Sequence, residues 1–349
     1  MPHDACSSAP DQPARTPFDD IRALLVDLPG PDEAAIAATA RRESQLIKPP
    51  GSLGRLEDIT SWLAAWTGKS PPQVTRPIIA IFASDHGVAT RGVSAYPQEV
   101  TRQMIDAMAA GGAAISVLAQ QAGAGLKVYD LAVGKPTPDI TTADAMSEQE
   151  CVATMAYGME VLAEGTDLLV LGEVGIGNTS VAAALALGLF GGNPAQWTGP
   201  GTGLEGRALA AKQDVVAQAV QRLDGQTDDA LSVLARVGGR EFAAIAGAIL
   251  AARLQRIPVV LDGYMVCVAA AVLHRINPRA LDHCLVGHVS KEPGHRLLLD
   301  LLGKKPVLDL GMALGEGTGA ALAVQIIKSA VACHSGMATF AEAGVAGPS

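Results

Sequence analysis

Continuous apolar runs, each followed by a stretch of helical character, place the strongest constraint on the fold of this chain. The clearest are RPIIAIFAS (76–84) and TDLLVLG (166–172), in which polar side chains do not alternate with apolar ones. Strands of this kind are buried on both faces, as they are in a parallel sheet covered by helices. We therefore predict an α/β fold with a doubly wound, mostly parallel sheet flanked by helices.

The same rhythm of strand and helix continues along the chain. No linker divides it, so we expect one α/β domain over 76–340 and a small helical subdomain built from the N-terminal helices over 19–75, which the last helix could join. Further strands are predicted at GLKVYDLA (125–132), RIPVVLDG (256–263), HCLVGH (283–288) and KPVLDLG (305–311), and helices at 31–46, up to Thr67, 97–110, 113–122, 147–164 and 179–189.

The two ends of the chain have a different composition. Residues 1–18 are rich in Pro, Ser and charged side chains and contain little to bury, so we predict a disordered extension there. We also predict a flexible tail at 341–349.

Composition excludes several classes of partner. Of 349 residues, 49% are hydrophobic but only 3% are aromatic, so the core must consist of small and aliphatic side chains with helices close to the sheet. The net charge of -9, with no cluster of Lys and Arg, argues against binding to nucleic acid or to an anionic membrane. With no signal peptide and no run that could span a bilayer, we expect a cytoplasmic protein.

The cysteine and histidine pattern does not indicate a metal site. His283 stands beside Cys284, and His288 and His295 follow, but this spacing matches none of the usual zinc patterns. We expect reduced thiols, no metal and no cofactor. The five cysteines are scattered and contain no C-x-x-C pair: Cys6, Cys151, Cys267, Cys284 and Cys333.

A glycine-rich loop follows the second apolar run. In GEVGIGNTS (172–180), Gly175 and Gly177 would let the backbone approach an anion, and Asn178 or Thr179 can cap the next helix. Free amides and the helix dipole attract phosphate at such a position in a parallel sheet. A tight turn that binds no ligand is the alternative interpretation of this loop.

Three well-known phosphate signatures are absent or misplaced. GTGLEG (201–206) matches G-x-G-x-x-G but follows QWTGP instead of a strand, and G-x-x-x-x-G-K-[ST] does not occur. Enzymes that use phosphoribosyl diphosphate generally carry two adjacent acidic residues after an apolar strand, whereas VVLDG offers Asp262 alone. Dinucleotide binding, P-loop kinase chemistry and a magnesium-diphosphate donor are therefore disfavoured.

Other segments combine charge with glycine or proline. Glu316 lies inside LGMALGEGTGAAL (310–322), where an ionised carboxylate is costly unless it is paired or has a chemical role. Asp85 and His86 directly follow the first strand, at a position that suits a binding site as well as a structural hydrogen-bonded turn. GHVSKEPGH (287–295) has the same relation to its strand, and IKPPGSLGRLED (47–58) would form a rigid loop.

Together these segments resemble one family, the nicotinate-nucleotide-dimethylbenzimidazole phosphoribosyltransferases of cobalamin lower-ligand synthesis. The similarity runs in the family's order from about residue 48 to 323. It rests on KPPGSLGRLE, SDHGV with GVSAYPQEVT, GEVGIGNTS, RVGGREF, VVLDG, GHVSKEPGH and LGEGTGAALA. The resemblance implies transfer of 5-phosphoribose from nicotinate mononucleotide to a benzimidazole, with nicotinate as the leaving group, no metal, and a homodimeric enzyme.

The resemblance also implies roles for individual residues. Glu316 would be the base that takes the proton of the acceptor, with Glu173 as a second carboxyl group at the reacting centre. The remaining residues implied for binding fall into three groups: Gly175, Ile176, Gly177, Asn178, Thr179, Lys212, Asp262 and Ser290 for phosphate and ribose, Gly203 and Leu314 for nicotinate, and Asp85, Tyr96 and Met104 for the acceptor base.

Two other functions remain open on the sequence. One is a different nucleotide-binding transferase or kinase on the same fold class, and the other is a non-catalytic nucleotide-binding protein. Because family members differ at the positions of Tyr96 and Met104, the preferred acceptor is open as well.

Overall fold

Six parallel strands form one sheet in the computed structural model, which describes residues 16–347. Their order across the sheet is β2-β1-β3-β4-β5-β6, and neighbouring strands are parallel throughout. The predicted α/β fold is confirmed. The strands are β1 (Pro77–Ala83), β2 (Gly125–Asp130), β3 (Leu168–Val174), β4 (Val259–Leu261), β5 (Cys284–His288) and β6 (Pro306–Leu308).

The path of the chain creates a crevice between β1 and β3. From β1 the chain moves outward to β2, then returns to the other side of β1 to form β3 and continues from there to β6. Strands β1 and β3 are therefore neighbours, with Phe82 opposite Glu173 and Ala83 opposite Val174. Because the connections from their carboxyl ends leave in opposite directions, ligands bind at this point in doubly wound sheets.

Fifteen α-helices of the described chain connect and cover the strands. They are α1 (Phe18–Leu24), α2 (Glu33–Glu43), α3 (Arg55–Thr67), α4 (Val100–Ala109), α5 (Ala114–Ala122), α6 (Glu148–Met159), α7 (Asn178–Phe190), α8 (Pro194–Trp197), α9 (Gly206–Gln221), α10 (Ala230–Val237), α11 (Arg240–Leu254), α12 (Tyr264–Ile276), α13 (Gly294–Leu301), α14 (Thr318–Gly336) and α15 (Phe340–Ala343).

Each face of the sheet carries its own hydrophobic core. Ala80 and Phe82 of β1 pack into one core, together with buried side chains of α6, α7, α11 and α12. Ile79 and Ile81 pack into the other, with α3, α5 and α14. Since successive strand side chains point to opposite faces, two covered faces require an apolar residue at every position. This explains why the runs are continuous.

Helix α14 lies unusually close to the sheet because glycines stand beneath it. A Cβ atom on Gly172 of β3 would lie 2.5 Å from the nitrogen of Gly317, and one on Gly287 of β5 would lie 2.6 Å from the Cα of Ala320. Both distances are shorter than real contacts allow. The small side chains of the sequence therefore bring the beginning of α14 directly onto the carboxyl ends of the central strands.

The N-terminal helix packs against the first core and not against the other N-terminal helices. Phe18 and Ile21 of α1 are buried there, and the side-chain amide of Asn277 donates to the carbonyl of Leu25 over 2.7 Å. Residues 1–15 of the predicted extension lie outside the described residues. In the part of the predicted extension that the structure describes, Phe18 begins α1, and its ring is fully buried.

Helix α2 joins the end of α14 through polar contacts, and α3 packs against α14 through apolar side chains. Nε of Arg42 donates to the carbonyl of His334 over 2.9 Å, and the carboxylate of Glu43 pairs with His334 over 2.6 Å and with Lys48 over 2.9 Å. The last long helix thus contacts the N-terminal helices. The predicted tail begins inside α15, and its residues 348–349 lie outside the described residues.

Candidate functional site

A cavity of about 400 Å³ opens at the carboxyl ends of the central strands. It lies at the crevice between β1 and β3, where α4, α7 and α14 begin. Its walls combine carboxyl groups, backbone of two glycine-rich loops and apolar side chains: Tyr96, Val100, Met104, Glu173, Val174, Gly175, Ile176, Asn178, Thr179, Gly201, Thr202, Met265, Ser290, Glu292, Ala313, Leu314 and Glu316.

Glu316 is held in a strained backbone conformation at the wall of this cavity. Its φ is +60°, and its neighbours Gly315 and Gly317 have φ of +81° and +74°. A left-handed conformation costs a residue with a Cβ about 1–2 kcal/mol, so the surroundings must hold it. The carboxylate of Asp262 does so by accepting hydrogen bonds from the nitrogens of Gly317, over 3.1 Å, and Ala320, over 2.9 Å.

The side chain of Glu316 is buried yet available for chemistry. Only 6% of the residue is exposed, and among the described residues its Oε2 has no hydrogen-bond partner. Burial, followed by the negative charge of Asp262, raises the pKa of Glu316 to about 7. A carboxyl group with this pKa can accept a proton near neutral pH, as a general base must.

Glu173 provides a second carboxyl group from the end of β3. Its Oε2 accepts a hydrogen bond from the side-chain amide of Asn178 at the beginning of α7. Burial raises the pKa of Glu173 well above its ordinary value, and the carboxylates of Asp262, Glu241 and Glu316 raise it further. Two buried carboxyl groups with raised pKa values therefore share one cavity.

The glycine-rich loop forms the beginning of α7. Gly177 adopts φ +92° at the N-cap, and α7 begins at Asn178. The nitrogen of Ile176 donates to the hydroxyl of Thr101 over 3.1 Å, which fixes the loop to α4. The amides of a first helical turn have no acceptor within the helix, and the dipole favours an anion beside them. The loop can bind a phosphate group here.

Lys212 lies directly behind this loop. Its ammonium group donates to the hydroxyl of Thr179 over 2.9 Å and to the carbonyl of Gly199 over 3.0 Å, and only 1% of the residue is exposed. Burial lowers the pKa of Lys212 to about 8, against the opposing effect of the Glu292 carboxylate. A positive charge therefore stands next to the loop, within the protein.

The cavity also has an apolar end, lined by Tyr96, Val100 and Met104. Tyr96 lies just before α4, and Val100 and Met104 belong to that helix. Tyr96 and Leu314 are each 56% exposed. A flat, largely apolar molecule would fit this end.

The cavity brings together most of the residues that the resemblance implies. The following ten line it: Tyr96, Met104, Glu173, Gly175, Ile176, Asn178, Thr179, Ser290, Leu314 and Glu316. Gly177 caps the helix in the same loop.

Four implied residues do not line the cavity. Lys212 and Asp262 lie in the layer beneath it. There, each side chain forms hydrogen bonds to backbone groups. Asp85 accepts a hydrogen bond from the nitrogen of Gly134 over 2.7 Å and faces a separate cavity. Gly203 lies in a turn closed by its hydrogen bond to the carbonyl of Pro200, over 3.1 Å.

Sequence reasoning missed several lining residues, of which Glu292 is the most significant. It is 5% exposed, and its Oε1 accepts a hydrogen bond from the nitrogen of Gly201 over 3.0 Å. Glu292 belongs to the motif GHVSKEPGH. Its position just after a buried strand was the feature of the sequence that could have identified it. The other missed residues are Val100, Val174, Gly201, Thr202, Met265 and Ala313.

The histidines near residue 290 have separate surroundings. His283 contacts the carbonyl of Ile249 over 3.0 Å just before β5, and His288 lies 3.5 Å from Asp262 at the other end of that strand. His295 accepts a hydrogen bond from the nitrogen of Ser290 over 2.8 Å. Within residues 16–347, no group of three or more His, Cys, Asp or Glu side chains is arranged to hold a metal ion.

Comparisons with known proteins show the family to which the chain belongs. A family model described as phosphoribosyltransferase matches residues 28–345. A protein of Sinorhizobium medicae named nicotinate-nucleotide-dimethylbenzimidazole phosphoribosyltransferase is 60% identical over 329 residues, which are 94% of this chain and 97% of that one. A protein of the same name from Rhizobium etli is 59% identical over 331 residues, or 95% of this chain and 98% of that one.

A solved structure gives the same result for the fold. The crystal structure of nicotinate-nucleotide-dimethylbenzimidazole phosphoribosyltransferase from Thermus thermophilus superimposes with a TM-score of 0.84 at 40% identity, and the match covers 91% of this chain and 100% of that one. From the shared sequence, fold and family model, the chain belongs to the nicotinate-nucleotide-dimethylbenzimidazole phosphoribosyltransferase family.

Proposed function

We propose that the chain transfers 5-phosphoribose from nicotinate mononucleotide to 5,6-dimethylbenzimidazole in the synthesis of the cobalamin lower ligand. The products are α-ribazole 5'-phosphate and nicotinate. One observation carries the proposal: Glu316, with a pKa of about 7, lines the same cavity as the glycine loop at the start of α7. A proton acceptor and a phosphate-binding loop are the two elements that this reaction requires.

The bond changes explain why one base is sufficient. One benzimidazole nitrogen attacks C1 of the ribose while the bond from C1 to the pyridinium nitrogen breaks. Nicotinate takes that bonding pair and leaves with an uncharged ring, so the leaving group needs no acid. The proton on the other benzimidazole nitrogen passes to the Glu316 carboxylate. Attack opposite the leaving group inverts C1 and gives the α product.

The donor is placed with its phosphate at the glycine loop. The amides around Gly177 and Thr179 would donate to the phosphate oxygens, and the charge of Lys212, which reaches Thr179 over 2.9 Å, would stabilise them. Holding the ribose between this loop and Glu316 aligns C1 with the acceptor. Such alignment supplies a large share of the catalytic effect in reactions between two substrates.

The acceptor is placed at the apolar end of the cavity. Tyr96 offers an aromatic face and Met104 a polarisable thioether, and both suit a flat ring that carries methyl groups. Other flat bases of similar size would also meet these side chains, so we expect the enzyme to accept more than one benzimidazole.

Four other residues support the two substrates. Glu173 lines the same cavity as Glu316, and its carboxyl group would form a hydrogen bond with a ribose hydroxyl. Ser290 lines the ribose side of the cavity and Leu314 the nicotinate side. Asp262 would act from below by holding the backbone beside Glu316. Gly203 and Asp85 lie outside the lining, and the proposal assigns them no contact.

Product analysis tests the proposal. Purified protein with nicotinate mononucleotide and 5,6-dimethylbenzimidazole, in the presence of EDTA, should release nicotinate and form one equivalent of α-ribazole 5'-phosphate, identified by its NMR coupling at C1. A dependence on added Mg²⁺ with a nucleoside triphosphate or phosphoribosyl diphosphate would contradict it.

We also propose that the protein acts as a cytoplasmic homodimer. Leu310 and Leu314 are 60% and 56% exposed, and a second copy of the chain would cover them. The buried thiols of Cys151, Cys267 and Cys284 are unpaired, as is usual in a reducing compartment. Among the described helices, none has the length and apolarity to cross a bilayer. Light scattering after gel filtration, with about twice the chain mass expected, tests the dimer.

A further inference from the structure

Glu292 and Lys212 have opposite charges, and both form hydrogen bonds to the same three-residue turn. Lys212 donates to the carbonyl of Gly199 over 3.0 Å, and Glu292 accepts from the nitrogen of Gly201 over 3.0 Å. The fit is tight, since a Cβ atom on Gly199 would lie 2.2 Å from Oε2 of Glu292 and one on Gly201 would lie 2.7 Å from Nζ of Lys212. The turn Gly199–Gly201 is thus built around both side chains.

This turn connects to the phosphate loop through Lys212. The ammonium group that binds Gly199 also donates to the hydroxyl of Thr179 in the first turn of α7, over 2.9 Å. Glu292 and Thr179 both line the cavity, whereas Lys212 lies behind them. A displacement of the turn would move the ammonium group relative to the loop.

We propose that Glu292 is a positioning residue for the donor end of the cavity. It holds the Gly199–Gly201 turn and keeps the charge of Lys212 in place behind the loop that binds the donor phosphate. This inference rests on the proposed function and adds a residue to which the resemblance assigns no role.

The charges around this pair are few. Lys212 and Glu292 are each other's principal charged neighbours, and Tyr264 is the further titratable group that senses Glu292. Burial lowers the pKa of Lys212 to about 8, while the Glu292 carboxylate opposes that decrease. Removing the negative charge must therefore lower the pKa of Lys212 further, so that the lysine loses its proton at a lower pH.

Kinetics of two variants test the inference. Glu292→Gln should raise KM for nicotinate mononucleotide about 10- to 100-fold, as expected when a buried charged hydrogen bond is weakened, and leave KM for dimethylbenzimidazole within about twofold. It should also shift the alkaline limb of the kcat/KM profile for the donor to lower pH by about one unit. Glu292→Asp keeps the charge but shortens the side chain, so the donor KM should rise without that shift.

Controls separate this inference from a folding defect and from the proposed function. Glu205→Gln neutralises an exposed carboxylate whose side chain makes no cap hydrogen bond, and it should behave like the parent enzyme. A donor KM of Glu292→Gln within twofold of the parent value, or an unmoved alkaline limb, would overturn the inference. If Glu292→Gln does not fold, a parent-like donor KM in Glu292→Asp would overturn it. Absence of nicotinate release by the parent enzyme would instead contradict the proposed function itself.

Discussion

The backbone nitrogen of Glu316 donates a hydrogen bond to the carbonyl oxygen of Glu173 over 3.2 Å. This contact joins the end of β3 to the turn before α14, and Gly172 permits it because a side chain there would collide with Gly317. Two carboxyl groups thereby meet at one cavity. Burial raises the pKa of both, to about 7 for Glu316 and well above its ordinary value for Glu173.

Ionisation of Glu316 should lower the stability of the fold. Its pKa is about 7 in the folded protein and near 4.5 without the fold. Between these pH values the folded protein keeps a proton that the unfolded chain has lost, so the free energy of unfolding decreases as pH rises through this range. Glu316→Gln removes this effect. Its gain in unfolding free energy over the parent should be about 3 kcal/mol larger at pH 8 than at pH 4.5.

Urea unfolding of both proteins at the two pH values measures that difference. The gain in unfolding free energy must depend on pH. A glutamine that only packs better would stabilise the fold equally at both pH values. An equal gain at pH 4.5 and pH 8 would mean that the carboxylate is not destabilised by its surroundings.

The acid limb of the pH profile should follow the pKa of Glu316, which burial raises most and the charge of Asp262 raises further. For the parent enzyme, kcat/KM should fall about tenfold per pH unit below pH 7, because protonated Glu316 cannot act as a base. The charge of Asp262 raises the pKa of Glu316. Asp262→Asn should therefore move the acid limb to lower pH, together with a lower kcat because one hydrogen bond to the start of α14 weakens. An acid limb that moves to higher pH would contradict this assignment.

Tyr96 should affect the acceptor and not the donor. It lines the cavity from the segment just before α4 and belongs to neither the glycine loop nor the Gly199–Gly201 turn. Tyr96→Ala removes an aromatic contact worth about 0.5–1.5 kcal/mol, so KM for dimethylbenzimidazole should rise about 3- to 10-fold. KM for nicotinate mononucleotide should stay within twofold. An increase confined to the donor KM would show that the two substrates bind in the opposite orientation in the cavity.

The fold was predictable because the sheet is buried on both faces. Strand β1 was predicted at 76–84 and spans Pro77–Ala83, and β3 was predicted at 166–172 and spans Leu168–Val174. Strand lengths were harder to predict, since RIPVVLDG (256–263) contributes only Val259–Leu261 to β4 and KPVLDLG (305–311) only Pro306–Leu308 to β6.

The site was predictable where a motif follows a strand and unpredictable where a distant segment directs a side chain. Glu316 and the glycine loop belong to turns whose own sequence places them at the sheet edge. Asp85 also follows a strand, but its carboxylate accepts a hydrogen bond from the nitrogen of Gly134, in the segment after β2, and does not line the cavity. Glu292 became apparent only through Gly201, which is 91 residues earlier in the chain.

Replacement of Glu316 by glutamine tests the central claim most directly. Glu316→Gln preserves the shape of the side chain but cannot take the proton of the acceptor. Its kcat for nicotinate release should fall about 10²- to 10⁴-fold, the usual contribution of a positioned base, while Kd for nicotinate mononucleotide changes less than about threefold. The matched control Glu164→Gln, at an exposed position, should keep the parent rate. A Glu316→Gln enzyme that releases nicotinate at the parent rate would show that another group accepts the proton.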